Sequence, residues 1–286
     1  MHIDAHVHVY PPEIEKNWKK IAETEPHFGT LCAGKAHKWG TVEDVVARME
    51  IDGLDQAWVT GVAFRDPGLC RLCNDYVMEA LKKYPGKIQG LAVVNPLTRD
   101  FENEIVRCRE AGFIGVGELL PYGQVFDISD SRETWRLAAA CQENGLFLLL
   151  HVAEPVGRDY PGKGGMGPRE AAAFCENHPE VQVLFAHMGG GLWAYEAMRC
   201  MKLVLENAWY DTAAAPFLFG PEVFRAAVAA GAGGKIVYGS DFPLLCADRY
   251  EKMFLASGLD EEALSRIRGG NALALLEKAR AFSGFG

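Results

Sequence analysis

The chain has 286 residues, 49% apolar and 23% charged, an ordinary globular composition that excludes a disordered or fibrous protein. Lysine and arginine total 29 against 38 acidic residues, a net charge of −9, which speaks against nucleic acid or an acidic membrane surface as the main partner. A small-molecule substrate, which responds to local charge, stays open. The length suits one large domain, 1–286. No basic-then-apolar leader opens the chain and no apolar run reaches membrane-spanning length, so a cytoplasmic location is expected. The eight cysteines are scattered and read as reduced thiols; Cys70-x-x-Cys73, the one tight pair, reads as two helix cysteines. The oligomeric state is not set by the sequence, and a homodimer is compatible with it.

The first apolar run, 3–9, carries His6-x-His8. Residues two apart in a strand share a face, so two imidazoles stand side by side there, with Ile3, Ala5, Val7 and Val9 facing the other way. Paired neutral imidazoles suit a divalent transition metal, although two exposed histidines on an edge strand would look the same in isolation. Segment 11–40 follows, outside any repeat, and contains Trp18, His37 and Trp39. Val42, Val45, Val46 and Met49 then fall at helical spacing, with Thr41 placed to cap and Glu43 and Asp44 in the first turn.

Further apolar runs lie at 57–62, 90–94, 113–119, 146–151, 181–187, 208–212 and 235–241, the seventh strand being the weakest. Helical patterns fall between them at 73–83, 102–110, 131–144, 168–177, 192–205 and 222–230. A glycine-rich segment, 157–168, follows strand five, and the tail after Asp260 is helical, most strongly over 271–281. Most strand runs are continuous rather than alternating, as expected of parallel strands buried on both faces. Eight strand–helix units predict an α/β protein, a (β/α)8 TIM barrel with an insertion after strand one and C-terminal helices. A doubly wound open sheet would instead carry a glycine-rich phosphate loop after an early strand, where this chain has His-x-His.

In such a barrel the C-terminal strand ends ring one mouth, where chemistry takes place. Strand one brings His6 and His8 there, strand four Glu118, strand five His151, strand six His187 and strand eight Asp241. Single residues of this kind have bland explanations: a core histidine for His151, a loop histidine for His187, a helix cap for Asp241, a salt bridge for Glu118. Six potential metal ligands at five strand ends are hard to explain as packing, because charged groups so placed are costly unless paired or metal-bound. His27 and His37, in the insertion, could contact substrate or simply be solvated. Trp39, Arg65, Tyr122, Arg158 and Tyr160 are candidates to touch substrate from the loops. Arg65, at the end of strand two, could clamp a carboxylate or form a surface salt bridge.

The ordered set His6-x-His8, His151, His187 and Gly239-Ser240-Asp241-Phe242-Pro243 resembles the amidohydrolase superfamily over nearly the full length. The start Ile-Asp-Ala-His-Val-His and the late Gly270-Asn271-Ala272 are similar to the amidohydrolase-related branch that includes aminocarboxymuconate-semialdehyde decarboxylase. The resemblance implies that His6, His8, His151 and Asp241 bind a divalent metal, with zinc expected. It also implies that His187 polarises substrate or helps activate water. Glu118 departs from the decarboxylase pattern: other branches place a carboxylated lysine or a bridging glutamate at that position. It therefore raises the metal count from one ion toward two and favours hydrolysis, in which Asp241 accepts the proton of a metal-activated water and returns it to the leaving group. Nonoxidative decarboxylation of a small aromatic or muconate-type acid is the alternative. A non-catalytic ligand-binding barrel is a third reading that no motif favours.

Overall fold

Eight parallel strands pair in sequence order in one sheet: β1 (Ile3–His8), β2 (Gln56–Thr60), β3 (Ile88–Ala92), β4 (Gly115–Leu119), β5 (Phe147–Leu150), β6 (Val183–Phe185), β7 (Ala208–Asp211) and β8 (Ile236–Val237). Backbone hydrogen bonds close the ring. Ala5 N donates to Tyr238 O at 2.9 Å, His8 N to Phe242 O at 2.7 Å and Asp241 N to His6 O at 2.9 Å. The computed structural model, which describes residues 1–282, is thus a (β/α)8 barrel. No helix among the described residues is long and apolar enough to cross a membrane.

Most strands contribute to two layers. Trp58, Leu91, Phe147, Leu149, Leu184, Trp209 and Val237 fill the barrel interior, and Ala272, Leu275 and Ala279 of the helix Asn271–Phe282 pack against them. Their neighbours along the strands, such as Val59, Ala92, Leu148, Phe185 and Ile236, pack outward against the ring of helices. Strands buried on both faces explain why the apolar runs are continuous.

The helices start where local chemistry predicts. Thr41 caps Val42–Asp52 in a reciprocal box with Asp44, and Gly53, at φ 66°, ends it. The expected helix at 73–83 begins earlier, at Pro67, because the Asp66 side chain accepts from Leu69 N and proline suits the first turn. The insertion is helical too, over Pro12–Thr24 and Pro26–Ala33. The expected helix at 192–205 is instead a 3-10 turn, Leu192–Ala197, and a short helix, Met201–Val204, because Met198 takes an extended conformation between them. The helix expected at 222–230 gives way after Ala227 to a wider turn, with Gly231 at φ 104°. Strands six and eight are shorter than expected, so His187 and Asp241 lie just beyond them, at φ 57° and 60°.

Two strands are irregular. The β1 register shifts between Asp4 and Val7, and the β4 register between Val116 and Leu119. The first shift corrects the single-face reading of β1. Ile3 and Ala5 belong to the barrel interior, whereas Val7 and Val9 pack outward. Bulges next to active sites commonly re-aim a side chain in this way. In β4 the shift surrounds Gly117, whose φ is 122°; a Cβ there would lie 2.0 Å from Leu149 O. Gly117→Ala is therefore expected to destabilise the fold by about 3 kcal/mol or more, beyond an ordinary point substitution. Thermal unfolding of the purified variant checks this, and an unchanged Tm would contradict it.

Candidate metal centre

His6, at the inward side of β1 and 0% exposed, is the deepest residue of the site. Its Nδ1 lies 2.7 Å from Asp211 Oδ2. The other Asp211 oxygen accepts from His187 N at 2.8 Å and Ala213 N at 2.9 Å. A carboxylate that only accepts puts the proton on His6 Nδ1 and leaves Nε2 facing the barrel mouth. Two other rings are fixed the same way. His187 Nδ1 meets Ala213 O at 3.1 Å and His151 Nε2 meets Lys163 O at 3.1 Å. Carbonyls cannot donate, so His187 Nε2 and His151 Nδ1 turn inward. His8 differs, since its buried Nδ1 has no partner among the described residues.

The inward atoms meet one another. His6 Nε2 is 3.1 Å from His8 Nε2, and His187 Nε2 is 3.1 Å from His151 Nδ1. Glu118, 3% exposed, stands between the pairs. Its Oε2 lies 3.5 Å from His6 and 3.3 Å from His8. Its Oε1 lies 3.0 Å from His151 and 3.5 Å from His187. Asp241 Oδ1 closes the first group, 3.6 Å from His8 and 3.9 Å from His6. Two adjoining clusters result, His6–His8–Asp241 and Glu118–His151–His187, each tight enough to share an ion.

The electrostatics test whether a cation fits. Burial alone would lower the His187 imidazolium, but Glu118, Asp241 and Asp211 outweigh it and raise its pKa to about 9. His6 is likewise raised well above the usual histidine range, burial being overcome by Asp211 and Glu118. Burial would push Glu118 up, yet the rings of His6, His151 and His187 hold its carboxyl well below the usual range. The cluster therefore draws positive charge among its donors, as protons or as a divalent cation. Imidazole and carboxylate are ligands for zinc and manganese respectively, so the set fits a cation of that class.

Asp211 was not singled out in the sequence. Its signal was present, an acid ending the apolar run Ala208-Trp209-Tyr210, but the seventh strand was the weakest. It orients the His6 ring and pins the His187 backbone, and a ring-orienting partner of that kind is worth about 10–100-fold in metal affinity. Asp211→Asn is expected to weaken zinc binding about 10–100-fold while leaving the fold cooperative. Competition with a chelator of known affinity measures this, and wild-type affinity would contradict the orienting role.

The loop candidates are spread around the mouth. Trp39 packs edge-on against Tyr10 and His37, with centroids 4.9 Å and 4.4 Å away, and Tyr10 follows His8 by two residues. Tyr122 is 61% exposed and lies 5.6 Å from His27. The Tyr160 hydroxyl donates to Glu154 at 3.0 Å. Arg65 and Arg158 are exposed, and neither guanidinium has an ion-pair partner among the described residues, so the surface salt bridge considered for Arg65 does not form. Cys70 and Cys73 are buried free thiols, as read from the sequence.

A family model described as amidohydrolase matches residues 3–278. The chain belongs to the amidohydrolase family. As an amidohydrolase it is an enzyme whose site draws on a divalent metal. No curated protein matches the chain by sequence. Solved structures match its fold. A 5-carboxyvanillate decarboxylase from Sphingomonas paucimobilis is 14% identical with a TM-score of 0.79, covering 96% of this chain and 98% of that one. A dihydroxybenzoic acid decarboxylase from Polaromonas sp., with bound manganese, is 17% identical with a TM-score of 0.72, covering 100% and 99%. A probable 2-pyrone-4,6-dicarboxylic acid hydrolase from Acinetobacter baumannii is 16% identical with a TM-score of 0.63, covering 96% and 99%.

Proposed function

We propose that this amidohydrolase acts, as one domain over 1–286, on a small molecule by metal-dependent hydrolysis of an amide, ester or lactone-type bond. The observation that carries the reading is Glu118, whose two oxygens face different histidine pairs. His6, His8 and Asp241 would hold one divalent cation and His151 a second, with Glu118 shared between them. A cation bound there supplies Lewis acidity toward an oxygen of water or substrate. Zinc is the ion expected from the imidazole-rich set, and manganese is the competitor that the two carboxylates would also accept.

The chain's own groups divide the remaining work. Asp241 has no lysine or arginine against it, so its carboxylate can accept a proton from water and pass it to the leaving group. His187, anchored through Nδ1 and held protonated by Glu118, Asp241 and Asp211, presents its Nε2–H to the oxygen on which charge develops. Asp211 holds both His6 and His187 in place. The loops carrying Trp39, Arg65, Tyr122 and Arg158 would bind the remainder of the substrate.

Decarboxylation is the second reading, favoured because two of the fold relatives are named decarboxylases. One experiment separates them. Enzyme stripped by chelator and reloaded with zinc or manganese is offered small lactones, esters and amides alongside carboxylated aromatics, and products are weighed by mass spectrometry. Addition of one water, regained only on reloading, is the expected result. Carbon dioxide release without added water would replace hydrolysis with decarboxylation, and turnover by stripped enzyme would overturn both.

A further inference from the structure

His27 lies at the rim of the centre without belonging to either ligand cluster. It is the second residue of the helix Pro26–Ala33, and the chain fixes that helix start firmly. The preceding Glu25 is 5% exposed, and its carboxylate accepts from Arg65 N at 3.1 Å and Asp66 N at 2.8 Å, just beyond β2. A buried carboxylate spent on two backbone amides is a rigid anchor rather than a solvated charge.

The His27 ring then lies on Gly123, where a Cβ would come within 2.6 Å of His27 Cδ2. Gly123 sits in the turn Pro121–Gln124 that directly follows Glu118 and β4. Gln124, 1% exposed, holds that turn by donating to Phe64 O and Val94 O and accepting from Leu120 N. Tyr122 of the same turn borders Gly164, and a Cβ on Gly164 would lie 3.7 Å from His151 Cδ2. Two buried side chains from two elements thus hold an imidazole beside the Glu118–His151–His187 half of the site.

Its hydrogen-bonding capacity is unused. Among the described residues neither ring nitrogen of His27 has a hydrogen-bond partner, whereas the other histidines at this half, His151 and His187, are bonded on their outer nitrogens. His178, a histidine used for structure, is bonded to Thr134 at 2.8 Å. Burial, reinforced by His151, lowers the His27 pKa, so the ring is neutral at pH 7 and can both donate and accept.

We propose that His27 is a substrate-contacting residue that hydrogen-bonds an oxygen-bearing group of the molecule held over the Glu118–His151–His187 half of the centre. The proposal rests on the metal-dependent reading of the site. The probe is benzohydroxamate, whose hydroxamate group seeks a bound divalent ion while its oxygens and N–H remain available to a neighbouring imidazole.

Zinc content and benzohydroxamate affinity are measured for the zinc-loaded wild type, His27→Ala and His27→Gln. The expected result is unchanged zinc content in all three, affinity weakened about fivefold to tenfold by His27→Ala, within the reach of one lost hydrogen bond, and largely restored by His27→Gln. In parallel, diethylpyrocarbonate labelling of the zinc-loaded wild type, mapped by mass spectrometry, should carbethoxylate His27 and be slowed by benzohydroxamate. Full zinc with unchanged affinity in His27→Ala, or His27 labelling indifferent to the probe, overturns the proposal. Equal loss in Ala and Gln variants assigns His27 a packing role and overturns it too. Wild-type protein that takes up neither zinc nor manganese instead refutes the metal-dependent reading on which the proposal stands.

Discussion

Asp241→Asn is expected to lower kcat by roughly 10²–10⁴-fold, the range over which a positioned proton-transfer group acts. The side chain joins the His6–His8 cluster and is the more accessible of the two carboxylates facing it, 13% exposed against 4% for the Glu118 side chain. Its backbone is held independently, since Asp241 N donates to His6 O at 2.9 Å and Leu244 N donates to Asp241 O at 2.8 Å. Asparagine keeps the shape and one oxygen donor and takes the αL region that Asp241 occupies at φ 60° better than most residues. The fold should therefore persist while the proton acceptor is lost. Steady-state kinetics with metal content measured on the same sample checks this, and a near-normal rate at full metal content would remove Asp241 from proton transfer.

Glu118→Gln is expected to reduce bound metal from two equivalents toward one and to take most of the activity with it. The carboxylate spreads one charge over two oxygens that face separate histidine pairs; the amide has no charge and only one oxygen. It also removes the counter-charge that holds His6 and His187 in their raised state, so the rings of the ion-free site lose a reason to stay protonated. Elemental analysis after exhaustive dialysis reads the count directly. A wild type that binds one equivalent, unchanged in the variant, would end the two-ion reading and strengthen decarboxylation.

The barrel was legible because its strands are buried on both faces, so each reads as an unbroken apolar run such as 146–151. The inward-facing residues of the centre were legible because polar groups at the ends of such runs stand out. What stayed hidden depends on tertiary pairing. Asp211 looked like the end of a weak strand, and its role appears only when β7 brings it 2.7 Å from His6. The Lys163 carbonyl that orients His151 has no side-chain signature at all. His27 was one of two insertion histidines left open between substrate contact and solvent; its separation from His37 comes from Glu25 and Gly123, contacts between residues far apart in sequence. The broken helix at 192–205 was hidden because its spacing is helical, and only the extended Met198 interrupts it.

The register shift in β1 makes residue spacing, as much as residue identity, a property on which the centre depends. Below the shift odd-numbered positions face the barrel interior, and above it the even-numbered His6 and His8 face the mouth. β1 advances three residues from Asp4 to Val7 while β2 advances two from Ala57 to Val59, and this one extra residue lets Ala5 face the interior and His6 the mouth in succession. One residue added or lost between His6 and His8 would turn one imidazole away from the mouth, toward the outward apolar layer of Val7 and Val9.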